Sequence, residues 1–248
     1  MVNFWNVVNK VIKESDILLL VMDSRMSFET KNKEIEDKIK RTNKPFIYVL
    51  TKCDLISQED SEKLKKIIKP SVFVSSKEYH GLNILREKLI IIGKQNYPKK
   101  SDYVIGILGY PNVGKSSLIN AMSGRSAAGV SSVSGFTKGV QKIRIDNKLV
   151  FLDTPGVIPY SEKDEEKHSV IGTIDYNKAK DPDLVVMKLF EEFPKMLENY
   201  YEIPFNLDSE EKLEQIAKNL NMVKKGNHPD IDRVSKKILK DWQEGRIK

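Results

Sequence analysis

Residues 109–116 read Gly-Tyr-Pro-Asn-Val-Gly-Lys-Ser, and this octet constrains the fold of the chain more than any other feature. It fits the pattern G-x-x-x-x-G-K-[ST], which needs a strand that turns tightly into a helix. The apolar run Tyr103–Leu108 supplies the strand, and the residues from Lys115 onward supply the helix. The glycines let backbone N–H groups curl around phosphate oxygens, and the helix N-terminus adds its positive dipole end. Asn112, Val113, Gly114, Lys115, Ser116 and Ser117 are therefore candidate phosphate-binding residues. In this pattern Lys115 reaches the β- and γ-phosphates, and the Ser116 hydroxyl ligates magnesium. With ordinary glycine usage the four fixed positions arise by chance in on the order of 1% of chains this long, so an incidental glycine turn is the weaker reading.

Two further elements lie downstream. Asp153-Thr154-Pro155-Gly156 closes the apolar stretch Leu149–Leu152. An aspartate there holds magnesium in phosphate-loop enzymes, and the glycine N–H faces the γ-phosphate. Alone, D-x-x-G also describes a strand-end turn; its distance after the octet favours the functional reading. Between the two elements, residues 124–139 are rich in Gly, Ser and Ala. Thr137, flanked by Gly135 and Gly139, is the candidate to close on magnesium and the γ-phosphate, with Ser131, Ser132 and Ser134 as rival hydroxyls.

Upstream, Thr51-Lys52-Cys53-Asp54 follows the apolar run Phe46–Leu50. Guanine presents N1–H and N2–H₂ side by side, a donor pair that adenine lacks, so a carboxylate at Asp54 reads guanine. Lys52 lays its alkyl stem along the base. Ser75-Ser76-Lys77 ends the next short strand, where a backbone N–H meets the guanine O6. Thr51, Lys52, Asp54, Ser75, Ser76 and Lys77 form the candidate base site. The carboxylate argues against an ATP-dependent phosphate-loop kinase.

The remaining chain divides near residue 159. Residues 1–159 alternate strands (Asp16–Met22, 46–50, 72–74, 103–108, 140–145, 149–152) with helices (3–13, 31–41, 58–69, 82–92, and from 115), which predicts an α/β sheet with helices on both faces. Gly93–Ser101 reads as a linker. Residues 160–248 read as a smaller all-helical domain, with helices over 183–202, 209–221 and 230–244 broken by Pro194 and Pro204. One cysteine, Cys53, excludes an intrachain disulfide and makes a cytoplasmic location the expectation, without membrane or secretory segments. Basic charge is concentrated early: residues 1–156 hold 26 Lys+Arg against 16 Asp+Glu, residues 157–248 hold 16 against 19, and the last 27 hold 8 against 4. That distribution suits a polyanion partner, or equally a lysine-rich solvated surface, since 35 of the 42 basic residues are Lys.

The order of these motifs is rotated. Small G proteins run from phosphate loop through switch threonine and D-x-x-G to N/T-K-x-D and S-A-K. Here T-K-C-D (51–54) and S-S-K (75–77) precede the octet, Thr137 and D-T-P-G. The chain thus resembles the circularly permuted GTPases of the YlqF/YawG type. Asp23-Ser24-Arg25 looks like their D-A-R element, and Asn227–Arg233 and Asp241–Lys248 resemble parts of their helical C-terminal domain.

The resemblance implies a permuted P-loop G domain over 1–159 and an rRNA-contacting helical domain over 160–248. It implies GTP hydrolysis, and GTP-dependent binding to the large ribosomal subunit during its assembly, with no DNA or membrane partner. In related GTPases with P-N-x-G-K-S the asparagine binds a potassium ion, which puts Asn112 beside Lys115 and Thr137 among the catalytic candidates, with a loop-stabilising asparagine as the alternative. Departures bear on the hydrolytic step. Val157 stands where many G proteins have a water-positioning Gln. Residues 1–15 lack the histidine of the bacterial P-G-H stretch, and His80, His168 and His228 match no motif. Arg125, the arginine nearest the motifs in sequence, has no evident finger role. An alternative is a nucleotide-dependent RNA-binding module with little intrinsic hydrolysis.

Overall fold

The continuous apolar runs become buried parallel strands, because a strand covered on both faces needs no polar alternation. The computed structural model describes residues 4–124, 140–158 and 176–247. Strand β1 (Ile17–Asp23) is buried along its whole length. It pairs in parallel with β2 (Phe46–Thr51) and with β4 (Tyr103–Gly109). Strand β3 (Ser71–Phe73) extends the sheet beyond β2, and β6 (Leu149–Asp153) extends it beyond β4. The edge strand β5 (Gln141–Arg144) runs antiparallel to β6 and buries only Ile143, the alternation of a one-sided edge. The full order is β3-β2-β1-β4-β6-β5.

Helices α1 (Phe4–Glu14), α2 (Lys33–Lys40), α3 (Gln58–Ile67), α4 (Leu82–Asn96) and α5 (Lys115–Ser123) complete this part of the chain. Val8, Val11 and Ile12 lie on the buried stripe of α1, which packs on β4. Ile35 and Ile39 form the stripe of α2, and Leu82, Leu85 and Leu89 that of α4. The short β5–β6 connection is held by Asp146, whose Oδ1 accepts from the Lys148 and Leu149 N–H groups at 2.7 and 2.9 Å.

The expected linker at 93–101 is partly helix. Helix α4 continues through Gly93 to Asn96, and a Cβ at Gly93 would sit 2.5 Å from the Tyr103 ring. The glycine is there for close packing and does not end the helix. Beyond it, the Tyr97 hydroxyl donates to the Asp16 carbonyl at 3.0 Å, and Lys100 pairs with the Asp16 carboxylate at 2.5 Å.

The chain splits into two compact units, Met1–Lys163 and Asp164–Lys248. In the second, α6 (Pro182–Glu192), α7 (Met196–Tyr201), α8 (Ser209–Asn219) and α9 (Ile231–Gln243) surround Leu189, Leu197, Ile216, Val234, Ile238 and Trp242. Pro182 opens α6, where its missing N–H costs nothing. Asp208 and Glu211 form a capping box at the start of α8. Asp241 is fully buried and is held by Lys237, Arg246 and the Tyr201 hydroxyl. The all-helical expectation misses one feature: β7 (Val223–Lys224) pairs antiparallel with β8 (His228–Pro229). Gly226 and Asn227, both at positive φ, turn that hairpin.

Candidate functional site

The rotated motifs become neighbours at one edge of the sheet. Every one follows the C-terminal end of a parallel strand: Ser75-Ser76-Lys77 after β3, Thr51–Asp54 at β2, Asp23-Ser24-Arg25 at β1, the octet at β4, and Asp153–Gly156 at β6. Register keeps these ends level, with Asp23 opposite Thr51 and Val21 opposite Gly109. The chain builds the β1-β2-β3 side first and then turns to the β4-β6 side. The β1/β4 boundary is therefore the topological switch point, where open α/β sheets form a ligand crevice.

On the β4 side, Asn112 (φ 58°) and Gly114 (φ 95°) bend the octet into a tight loop before α5. Lys115 is 6% exposed, and its ammonium donates to the carbonyls of Tyr110 and Gly109 at 2.5 and 3.2 Å. Burial pushes this ammonium down to about 8, an effect that Asp153 opposes. Ser116 and Ser117 occupy the first turn of α5, and the Ser116 hydroxyl lies 3.4 Å from Asp153 Oδ2. Asp153 is fully buried; burial raises its carboxyl against the pull of Lys115, and its Oδ1 has no hydrogen-bond partner among the described residues. A hydroxyl and an under-used carboxylate form a hard oxygen donor pair that suits magnesium, which takes one or two carboxylates plus phosphate oxygens.

On the β2 side, Thr51 makes contacts that sequence reading did not anticipate. Its hydroxyl is buried and shared between the carbonyls of Met22 (2.9 Å) and Val113 (2.5 Å). It ties the end of β2 to the phosphate loop and so positions Val113. Lys52 has a left-handed backbone (φ 55°), and its ammonium sits 2.8 Å from Asp23. Asp54 lies half-buried in the turn Cys53–Leu55. The Cys53 N–H donates to the Val74 carbonyl at 3.2 Å, which sets T-K-C-D beside S-S-K. Ser75 is fully buried, and its Oγ accepts from the Glu78 N–H at 3.0 Å; it shapes the turn that presents Ser76 and Lys77.

Asp23 joins these elements. Its carboxylate accepts from Arg25 Nε (3.1 Å), Nη2 (2.8 Å) and the Arg25 backbone N–H (3.1 Å), as well as pairing with Lys52. Burial alone would raise this carboxyl, but the two cations hold it well below the usual carboxylate range. Asp23-Ser24-Arg25 is thus a buried charge cluster that fixes where the Lys52 ammonium rests.

The D-T-P-G turn lies directly on the phosphate loop. The Thr154 hydroxyl donates to the Ile107 carbonyl at 2.6 Å, and the Val157 N–H donates to the Gly109 carbonyl at 3.2 Å. A Cβ at Gly156 would stand 2.3 Å from the backbone N and Cα of Pro111, so only glycine permits this approach. Val157 turns into the hydrophobic core and is 3% exposed. Asn32, which sequence reading passed over, donates to the Val157 carbonyl at 3.0 Å. Its position just before a helix marks it as a cap, but no local pattern points to a partner 125 residues away. Thr137, Arg125 and His168 lie outside the described residues.

A phosphate loop at the switch point of this sheet, preceded in sequence by the strands that normally follow it, defines a circularly permuted P-loop G domain, here accompanied by a helical C-terminal unit. Residues 104–233 match the family model described as 50S ribosome-binding GTPase, and the chain belongs to that family. It is 37% identical over 248 residues to an uncharacterized GTP-binding protein of Methanocaldococcus jannaschii, covering 97% of this chain and 65% of the relative. It is 30% identical over 256 residues to nucleolar GTP-binding protein 2 of Saccharomyces cerevisiae, covering 98% of this chain and 52% of that protein. The chain therefore spans roughly half to two thirds of the length of these relatives. The fold is shared with GNP-bound YlqF from T. maritima (TM-score 0.67, 21% identity, 98% of this chain and 94% of that one). The GDP-bound YlqF structure matches at the same TM-score. The motif order is that of the permuted YlqF/YawG type.

Proposed function

We propose that this chain binds GTP and GDP with magnesium, hydrolyses GTP slowly, and uses the nucleotide state to control its attachment to a pre-ribosomal large subunit in the cytoplasm. The observation that supports the reading is that the segments carrying Lys52, Asp54, Lys115, Ser116, Asp153 and Gly156 stand together at the C-terminal ends of strands of one sheet, β2, β4 and β6, with Thr51 bonded to Val113 between the base and phosphate sides. In this reading Asp54 accepts from guanine N1–H and N2–H₂, the Lys52 stem covers the base, and the Ser76–Lys77 turn meets O6. Lys115 and the N–H groups of 112–117 hold the phosphates. Ser116 and Asp153, with Thr137, would hold magnesium, which would neutralise phosphate charge. The reaction spreads charge over the γ-phosphoryl oxygens, so the chain contributes positioning and cationic stabilisation, chiefly from Lys115. Asn112 would hold a potassium ion, which would supply further positive charge.

The helical unit is the RNA-contacting part. Its last helix carries the partly exposed Lys236 and Lys240 on the side away from Val234, Ile238 and Trp242, and its closing segment is net basic. The description of the family and the name of the yeast relative support a ribosomal setting. A second reading, a nucleotide-controlled binding module with little turnover, is favoured by one observation: Val157 is buried in the core and brings no polar side chain to the phosphates.

One assay separates the readings. Co-sedimentation with large ribosomal subunits is expected with a non-hydrolysable GTP analogue and much reduced with GDP. Phosphate release is expected to be slow alone, several-fold faster in potassium than in sodium at equal ionic strength, and faster again with subunits. Analogue-dependent pelleting without measurable phosphate release would select the second reading. Pelleting that ignores the nucleotide would refute control by nucleotide state.

A further inference from the structure

Asn32 is fully buried at the junction between β1 and α2. Its carboxamide performs two tasks at once. Oδ1 accepts from the Ile35 N–H at 3.0 Å and caps α2, while Nδ2 donates to the Val157 carbonyl at 3.0 Å. Only this orientation satisfies both partners, since an N–H needs an acceptor and a carbonyl needs a donor. Val157 is thereby held at its N–H by Gly109, at its carbonyl by Asn32, and by its side chain in the core. The Thr154 and Gly109 attachments lead back to β4 and the phosphate loop. The Asn32 attachment comes from the segment after β1, on the other side of the β1/β4 boundary.

We infer that Asn32 is a positioning residue that ties the D-T-P-G turn to the start of α2 and so sets the preference of the site for a nucleoside triphosphate over a diphosphate. The inference rests on the guanine-nucleotide reading above. The carbonyl that Asn32 holds belongs to the residue after Gly156, whose N–H faces the γ-phosphate in that reading. Releasing this tie lets that N–H drift, while the β-phosphate contacts of 112–117 stay in place. A diphosphate presents nothing to Gly156 and is indifferent to the change.

The two tasks of Asn32 are separable. Aspartate caps helices through a side-chain oxygen and, when ionised, has no proton to give the Val157 carbonyl, while serine caps through a single oxygen, one bond shorter than the carboxamide, that cannot occupy the Oδ1 and Nδ2 positions together. Asn32→Asp and Asn32→Ser would be titrated with fluorescent GDP and a fluorescent non-hydrolysable GTP analogue, both with magnesium, and their thermal unfolding recorded. The expected result is about a tenfold loss of analogue affinity, the scale of one buried hydrogen bond, with GDP affinity within about twofold of wild type. Asn32→Ala, which also removes the cap, should add a loss of thermal stability without a further change in the ratio. Should Asn32→Asp fail to fold, the serine variant carries the test. Equal weakening of both nucleotides, an unchanged ratio, or a ratio moved toward the triphosphate would overturn the inference. Wild-type protein that binds neither nucleotide would instead overturn the parent reading.

Discussion

Asp54→Asn is expected to convert a guanine site into a xanthine site. The carboxylate accepts two neighbouring hydrogen bonds from guanine, each a bond to a charged group worth roughly 1.5–3 kcal/mol, so their loss amounts to about 10²–10⁴-fold in GDP affinity. Xanthine keeps N1–H but carries a carbonyl at C2. An asparagine accepts from the first and donates to the second, so affinity for xanthosine diphosphate should rise as that for GDP falls. Asp54 is half-buried and has no ion pair among the described residues, so the variant should unfold near the wild-type temperature without nucleotide. Competition of the two diphosphates against a fluorescent nucleotide measures the exchange. Wild-type affinities for both would refute the base-site assignment.

Ser116→Ala should have the second largest effect, confined to magnesium-dependent binding. Among the described residues the hydroxyl makes only a 3.4 Å contact with Asp153, so its removal should cost the free protein little. In the nucleotide-bound protein the same oxygen is assigned to the metal, a charge-assisted contact on the scale of about 1.5–3 kcal/mol. The variant should bind GTP in magnesium roughly 10- to 100-fold more weakly than wild type. In the presence of a chelator the two proteins should bind alike. A large drop in unfolding temperature with normal magnesium dependence would show that Ser116 serves packing instead.

Much of this site was legible because its parts are local. A tight glycine turn between strand and helix, a carboxylate after an apolar strand and D-x-x-G each need only a few consecutive residues, and the strands β1, β2, β4 and β6 are unbroken apolar runs. What sequence could not supply are the contacts that join these parts. The strand order that places T-K-C-D and the octet around one switch point is a property of the sheet, as is the Thr51 hydroxyl bond to Val113. Arg25 and Lys52 meet across Asp23 because β1 and β2 end level, which neither segment records alone. Asn32 resembles any helix cap until Val157 arrives beside it. The two errors of local reading are also physical: Gly93 looked like a helix stop but makes room for Tyr103, and the 223–229 hairpin is too short for strand periodicity.

The claim at the centre of this account is that the crevice at the β1/β4 boundary selects guanine nucleotide. Titration calorimetry of the wild-type chain with GDP and with ADP, in magnesium and potassium, tests it most directly. The two ligands share every phosphate and sugar contact and differ only in what Asp54 and the Ser75–Lys77 turn can read. GDP should bind at least about a hundredfold more tightly than ADP, the minimum set by two hydrogen bonds to a charged acceptor. Equal affinities, or a preference for ADP, would contradict the account.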